Sequence, residues 1–410
     1  MEHPQDNIKG YSPNQEAWLR FKKNKPGIFG LVVILFAALI AILGYLVSPD
    51  QTPNVNEQIP EVSLKSPGFE VTLLAVRKNR LVTQSSVLSK MIHGQENQYK
   101  FIPINKFEIK EDQLVYEKYE GENMQTGERL EGNIKEVSLA DIAFPLSFKD
   151  KALTNTSGKL SFKDINDQNI AIDITALTAQ IKKENIIQKT FYLGSDKYGR
   201  SLLSRLILGV RISLLVGLIA VLIALTIGIS LGAIAGYFGG RIDDFILLLI
   251  NTVWSIPTLL LVFAIVLALG RGIGIIFLAV GLTMWVDVAR IVRGQVLALK
   301  EIQFVEAAQS MGFQSGRIIF KHILPNILGP VMVIAASTFA TAILIEAGLS
   351  YLGFGIQPPT PSWGTMLNEN YGYAISGKPF LALIPAFAIM LLVLAFNLVG
   401  NALRDAMDVY

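Results

Sequence analysis

The sequence predicts an α-helical integral membrane protein of six spans, with a mixed, β-rich domain inserted over 48–190 between spans one and two. Three observations carry that reading. The 410 residues are 51% hydrophobic and only 17% charged, well under the roughly 25% charged residues of a soluble globular chain, and mean hydropathy is +0.44. Six runs approach the ~20 apolar residues that a spanning helix needs. Between the first two of them the chain changes character, and charged residues of both signs crowd in.

The runs lie at 28–47, 207–236, 245–269, 273–292, 327–352 and 380–400. The first follows a basic segment, 1–27, that ends in Lys22, Lys23 and Lys25. It resembles a secretory leader in that respect, but Leu46-Val47-Ser48-Pro49 places Leu where cleavage needs a small residue. An uncleaved anchor is expected. Pro257, after Trp254-Ser255-Ile256, should kink the third run.

Orientation follows from Lys and Arg in the short connections. Lys9, Arg20, Lys22, Lys23, Lys25, Arg241, Arg290, Arg293, Lys300, Arg317, Lys321 and Arg404 fall on one side, against Arg271 and Lys378 on the other. Both termini are therefore expected in the cytoplasm, with 48–205 outside.

The inserted segment is patterned as a folded domain. Lys159–Lys163 and Asn169–Ile174 alternate apolar and polar residues as half-buried strands do, Phe69–Val76 and Leu114–Tyr119 are further strand candidates, and Ala176–Ile187 suits a helix. His93 is the only histidine there and the chain has no cysteine, so neither thiolate metal sites nor disulfides can form. No catalytic arrangement stands out. A net charge of +3 gives no case for nucleic-acid binding.

Between spans four and five lies a polar interruption, 294–326. Ala307 and Ala308 permit close backbone approach, Gly312 suits the left-handed end of a helix, and Pro325 should stop or kink the next one. A short helix, a sharp turn and a second short helix are expected. Polar residues also enter the spans: Asn251, Glu346 and Asn397, with Asp287 and Arg290 spaced as a local helical pair. Glu346 is read either as a hydrogen-bonding group toward a partner or as part of a path or gate.

The spacing Glu306-Ala307-Ala308, Gly312 and His322-Ile323-Leu324-Pro325 resembles the cytoplasmic coupling loop of ABC importer permeases, with His322 where that pattern has Ile. From Phe191 the likeness is to dipeptide and oligopeptide permeases. It rests on Gly194-Ser195-Asp196-Lys197-Tyr198-Gly199-Arg200, Ala235-Gly236-Tyr237-Phe238-Gly239-Gly240, Ala289-Arg290-Ile291-Val292-Arg293-Gly294, Glu346-Ala347-Gly348-Leu349-Ser350 and Gln357-Pro358-Pro359, in order. Asn401 departs from it, because these permeases often have Asp there, and so does the long insertion.

The resemblance implies a six-span type I importer permease, its core at 191–410, acting as the C-type subunit for peptides or peptide-like solutes. It also implies a second permease, two ATPase subunits and an extracytoplasmic substrate-binding protein as partners. No cofactor is expected on this chain. ATP and magnesium belong to the ATPases, since Gly372–Pro379 misses the phosphate-binding pattern by placing Pro379 where a hydroxyl is required. Phe304, Glu306, Ala307, Ala308, Met311, Gly312, Leu324 and Pro325 would form the ATPase-coupling element. Phe304, Ala308 and Met311 fall at helical spacing as a stripe for a groove, and Glu306 could pair with a basic group on the ATPase or locally with Arg317 or Lys321. The alternative is an envelope-anchored receptor or scaffold whose outer domain binds a partner without transport.

Overall fold

A computed structural model describes residues 13–123, 128–147, 153–156 and 158–407. The chain divides into two compact units. One takes in the chain up to Ala41, Gly209–Glu369 and the chain from Ala382; the other is Ile42–Leu208 with Asn370–Leu381.

The first unit is helical. Helices α1 (Pro13–Lys23) and α2 (Lys25–Val47) open the chain. Gly27 and Gly30 let α2 approach the last helix closely: a Cβ on Gly30 would stand 2.5 Å from the Ala395 carbonyl oxygen. Phe21 packs there with Ala402 and Ala406.

Among its described residues the second unit holds eight strands and three short α-helices. These are β1 (Phe69–Arg77), α3 (Val87–His93), β2 (Tyr99–Lys110), β3 (Gln113–Lys118), β4 (Ile134–Ser138), α4 (Leu139–Ala143), β5 (Thr154–Thr156), β6 (Lys159–Lys163), β7 (Asn169–Asp173), α5 (Ile174–Gln180) and β8 (Ile186–Phe191). An antiparallel sheet runs β4-β3-β2-β1-β8, and a smaller one β5-β6-β7. Leu73 stands opposite Pro103 on one side and Ile187 on the other. Period two then sorts the residues by face. Val71, Leu73 and Phe191 pack with Ile59, Val62 and Tyr119, while Leu74, Ile104 and Leu114 pack with Leu160 and Phe162 of the small sheet and with Leu139, Ile142 and Leu177.

The four strands expected from alternation are β1, β3, β6 and β7. The helix expected over 176–187 is shorter, because α5 ends at Gln180 and Ile186 and Ile187 already belong to β8. Ile186 and Ile187 are drawn into the ladder with Leu74 and Leu73, where β-branched residues fit best. The unit also extends past the expected 48–190 boundaries. Asp196 explains part of this: its carboxylate accepts from Tyr198 and Arg200 amides and from Arg200 Nε at 2.6 Å, fixing the turn before the next helix.

The helical unit resumes with α6 (Leu202–Phe238), α7 (Gly240–Trp254), α8 (Thr258–Leu269), α9 (Ile273–Lys300), α10 (Gln303–Ser310), α11 (Ser315–Ile318), α12 (Leu328–Tyr351), α13 (Trp363–Ile375) and α14 (Phe380–Met407). Among the described residues, five helical stretches are long and apolar enough to cross a membrane. The third expected span is not a kinked helix but two helices, α7 and α8, meeting at 89°. Pro257 has no amide to continue the ladder and is extended at ψ 125°. Helix α9 is the centre of the bundle. Gly228, Gly232 and Gly236 of α6 face Val288, Ala289 and Val296, and a Cβ on Gly232 would come 2.5 Å from the Ala289 carbonyl oxygen. Small residues every fourth position let two helix backbones close together.

Candidate functional site

The interruption between α9 and α12 is built on α10. Ile302 is extended at its N-terminus, and its carbonyl accepts from the Val305 amide at 2.9 Å. The end of α10 is closed by two bonds, Phe313 N to Ala308 O at 3.1 Å and Gly312 N to Gln309 O at 2.9 Å, with Gly312 at φ +76°. That is the Schellman arrangement, in which a left-handed residue lets two orphan carbonyls find donors. The expected helix and sharp turn are therefore present.

Which face α10 shows differs from expectation. Phe304 and Met311 are 40% and 66% exposed, but Ala308 is 1% exposed and sits with Val305 in the bundle core. At 100° per residue Ala308 falls between Phe304 and Val305 around the helix, and its small side chain turns inward with Val305. The outward surface comprises Phe304, Glu306, Ala307 and Met311, with Ala308 as its anchor. The Glu306 carboxylate makes no hydrogen bond or ion pair among the described residues. Arg317, one of its expected local partners, lies over the Phe313 ring at 4.3 Å instead, and Phe313 stacks with His322.

Pro325 does not end a helix. It lies in a tight turn, Leu324–Ile327, that follows a widened one, Ile319–Ile323, and the path continues into α12. The change of winding absorbs the missing amide. Leu324 is half-buried against the core and Pro325 is exposed.

The polar residues in the spans separate into three environments. Glu346 is 0% exposed. Its Oε1 accepts from Ser350 Oγ at 2.7 Å, while Oε2 has no partner in hydrogen-bonding geometry, the Ser362 hydroxyl being close by. Ser350 Oγ in turn accepts from the Ile356 amide. Glu346 thus braces the α12 end within its own chain through Ser350, whose hydroxyl also holds the Ile356 amide. Asn251 and Asn397 are exposed. Asn397 lines a 560 Å³ crevice with Gln295, Ser337, Asn401 and Arg404.

The expected Asp287–Arg290 pair is not formed. Arg290 lies over the Trp254 ring at 4.1 Å, a cation–π contact, and Asp287 is exposed without an ion pair among the described residues. An unforeseen pair stands nearby: Arg293 donates through Nε and Nη2 to the two oxygens of Asp243, both at 2.5 Å. The two residues are fifty positions apart, and spacing alone gives no signal for such a partnership. Gly372–Pro379 is the end of α13 and a turn with Gly377 at φ +92°, where Ser376 N bonds Gly372 O.

Comparison with known proteins agrees with this architecture. Residues 228–409 match the model of the binding-protein-dependent transport system inner membrane component, and 12–67 match the N-terminal transmembrane domain of oligopeptide transport permease C. The oligopeptide transport system permease protein OppC of Bacillus subtilis is 40% identical over 220 residues, 54% of this chain and 72% of the relative. The dipeptide permease DppC of Alkalihalophilus pseudofirmus is 43% identical over 217 residues, 53% and 71%. The glutathione permease GsiD of Pectobacterium atrosepticum is 41% identical over 217 residues, 53% and 72%. A chain of the inward-facing MetNI methionine ABC transporter aligns at TM-score 0.42 and 20% identity, over 50% of this chain and 97% of its own. The chain belongs to the ABC importer permease family of oligopeptide and dipeptide transport systems, as a C-type member.

Proposed function

We propose that this chain is the C-type permease subunit of an ATP-driven importer of peptides or peptide-like solutes, forming a translocation path with a second permease. The relatives are named as oligopeptide, dipeptide and glutathione permeases, which supports that solute class. Both termini and α10 face the cytoplasm, as the bias of Lys and Arg requires. The β-rich unit lies outside, where it meets a substrate-binding protein.

The observation that carries the proposal is the outward surface of α10. An exposed Phe304, an exposed Met311 and a carboxylate at Glu306 with no partner within the described chain stand on a helix fixed at both ends. Two apolar anchors beside one charge suit a helix seated in a groove of an ATPase subunit. ATP and magnesium are held by that subunit.

Co-expression with candidate ATPase subunits and reconstitution into liposomes tests this. ATP-dependent peptide uptake is expected, with loss of both ATPase co-purification and uptake on Glu306→Lys. A chain that retains an outer partner but never recruits an ATPase would instead be a receptor or scaffold.

A further inference from the structure

One helix of the β-rich unit has no core to belong to. The seven residues of α3 include none that is buried. Ser86 caps its start, the hydroxyl accepting from the Ser89 amide, and Gly94 at φ +79° ends it. At about 100° per residue, Val87, Met91, Leu88 and Ile92 fall within an arc of about 140°. Val87 and Leu88 are both 68% exposed and Ile92 is 55% exposed. Lys90 points away from them, into a cavity that it lines with Tyr99, and the exposed His93 stands almost opposite the arc. A helix this short has little stability by itself, and a contiguous exposed apolar face marks a surface that meets something apolar.

The attachment of α3 identifies that apolar phase. Gly94 is pressed against the end of α2: a Cβ there would stand 2.8 Å from both Tyr45 Cε1 and the Gln51 carbonyl oxygen. The next residue, Gln95, donates its amide to the same Gln51 oxygen at 2.7 Å. Helix α2 is one of the stretches able to cross a membrane and ends at Val47, with Leu46 and Val47 themselves exposed. A helix of this length measures about 10 Å, so all of α3 lies within about that distance of the point where the span leaves the hydrocarbon. A headgroup layer about 5–8 Å thick begins there. An apolar arc backed by a cation is the pattern of a helix lying in that layer.

We propose that α3 is an interfacial helix whose partner is the lipid surface beside α2. Val87, Leu88 and Ile92 enter the boundary between headgroups and acyl chains, and so hold the β-rich unit down on the bilayer. The proposal needs α2 to span a membrane and needs no step of transport.

The test uses the full chain alone in phosphatidylcholine nanodiscs. The sequence has no cysteine, so Leu88→Cys, His93→Cys and Leu39→Cys can each carry a single fluorophore. These report the apolar arc, the opposite face and the exposed side of α2. A phosphatidylcholine bearing a nitroxide high on its acyl chain should quench the probes at positions 88 and 39 by at least about twofold, and the one at 93 far less. Aqueous iodide should quench position 93 and spare 88. Val87→Ser combined with Ile92→Ser should cut the lipid quenching at 88 by at least about twofold, with an unchanged melting temperature because nothing buried is lost. Equal lipid quenching at 88 and 93, or no change in the Ser variant, would overturn the proposal. So would a probe at 88 shielded from both quenchers, which would place a second copy of the chain over the arc. A probe at 39 that the lipid does not quench would overturn the span assigned to α2 and this inference with it, whereas loss of uptake alone would sink only the importer assignment.

Discussion

Gly312 offers a graded test of whether α10 acts through its shape. The residue stands at φ +76°, and a Cβ there would meet nothing within 4 Å. Gly312→Ala therefore introduces no clash, and its cost is the left-handed backbone alone, about 1–2 kcal/mol for an L-residue. Since 1.4 kcal/mol is a factor of ten, the population holding the capped turn should fall by about 5- to 30-fold. Gly312→Asn should lie between Gly and Ala, because Asn tolerates this region better. Gly312→Pro should be worst, as it cannot reach φ +76° and removes the amide bonded to Gln309. The assay is ATPase-subunit affinity for the reconstituted permease, read beside ATP-driven uptake. Affinity should fall in the order Gly, Asn, Ala, Pro. An Ala variant equal to wild type, or Asn worse than Ala, would show that the turn's conformation is not what the ATPase reads.

Other expectations concern the bundle. The Asp243–Arg293 pair is bidentate and partly buried, so a double-mutant cycle with Ala at both positions should give a coupling energy of about 1–3 kcal/mol by thermal unfolding in detergent. Gly232→Val should lower stability by about 1–3 kcal/mol, because even its first carbon would press on the Ala289 carbonyl; an unchanged melting temperature would mean α6 and α9 are not so close. Asp287→Asn removes no ion pair among the described residues, so stability should stay within about 0.5 kcal/mol; a larger drop in melting temperature would show that Asp287 has a partner after all. Glu346→Gln keeps an acceptor for Ser350 and should leave uptake intact, whereas Glu346→Leu should cost about 1–3 kcal/mol. Loss of uptake in a stable Gln variant would restore a role for the charge.

Much of the helical unit was legible because a spanning helix writes itself as an uninterrupted apolar run, and five of the six runs are single helical stretches. Ala308 shows where such periodicity stops being informative. Its position is within the angular width of either face, and only packing against Val305 and Ile318 decides that it turns inward. The surroundings of Glu346 were illegible for a related reason. A carboxylate in a span is costly unless something receives it, and the receiving hydroxyl on Ser350 is one turn away while the covering segment comes from 353–365. Sequence supplies the expense but not the cover. Ile186 and Ile187 were drawn into a helix because their apolar character continues that of α5; the ladder to β1 outweighs that continuity.

Under the coupling role proposed above, the arrangement around α9 gives the polar loop a stiff mount. Helix α9 is gripped along one side by the glycine positions of α6, which leave no room for sliding, and is clamped near its end by Arg293 to Asp243 on α7. Its last residue, Lys300, is three positions before α10, and α10 is itself pinned to the core by Val305 and Ala308. Close-packed interiors transmit displacement instead of absorbing it. Under that role, a displacement of α10 at Phe304 and Met311 would be carried through this packing to α9, and from α9 to α6, α7 and α8 as a set.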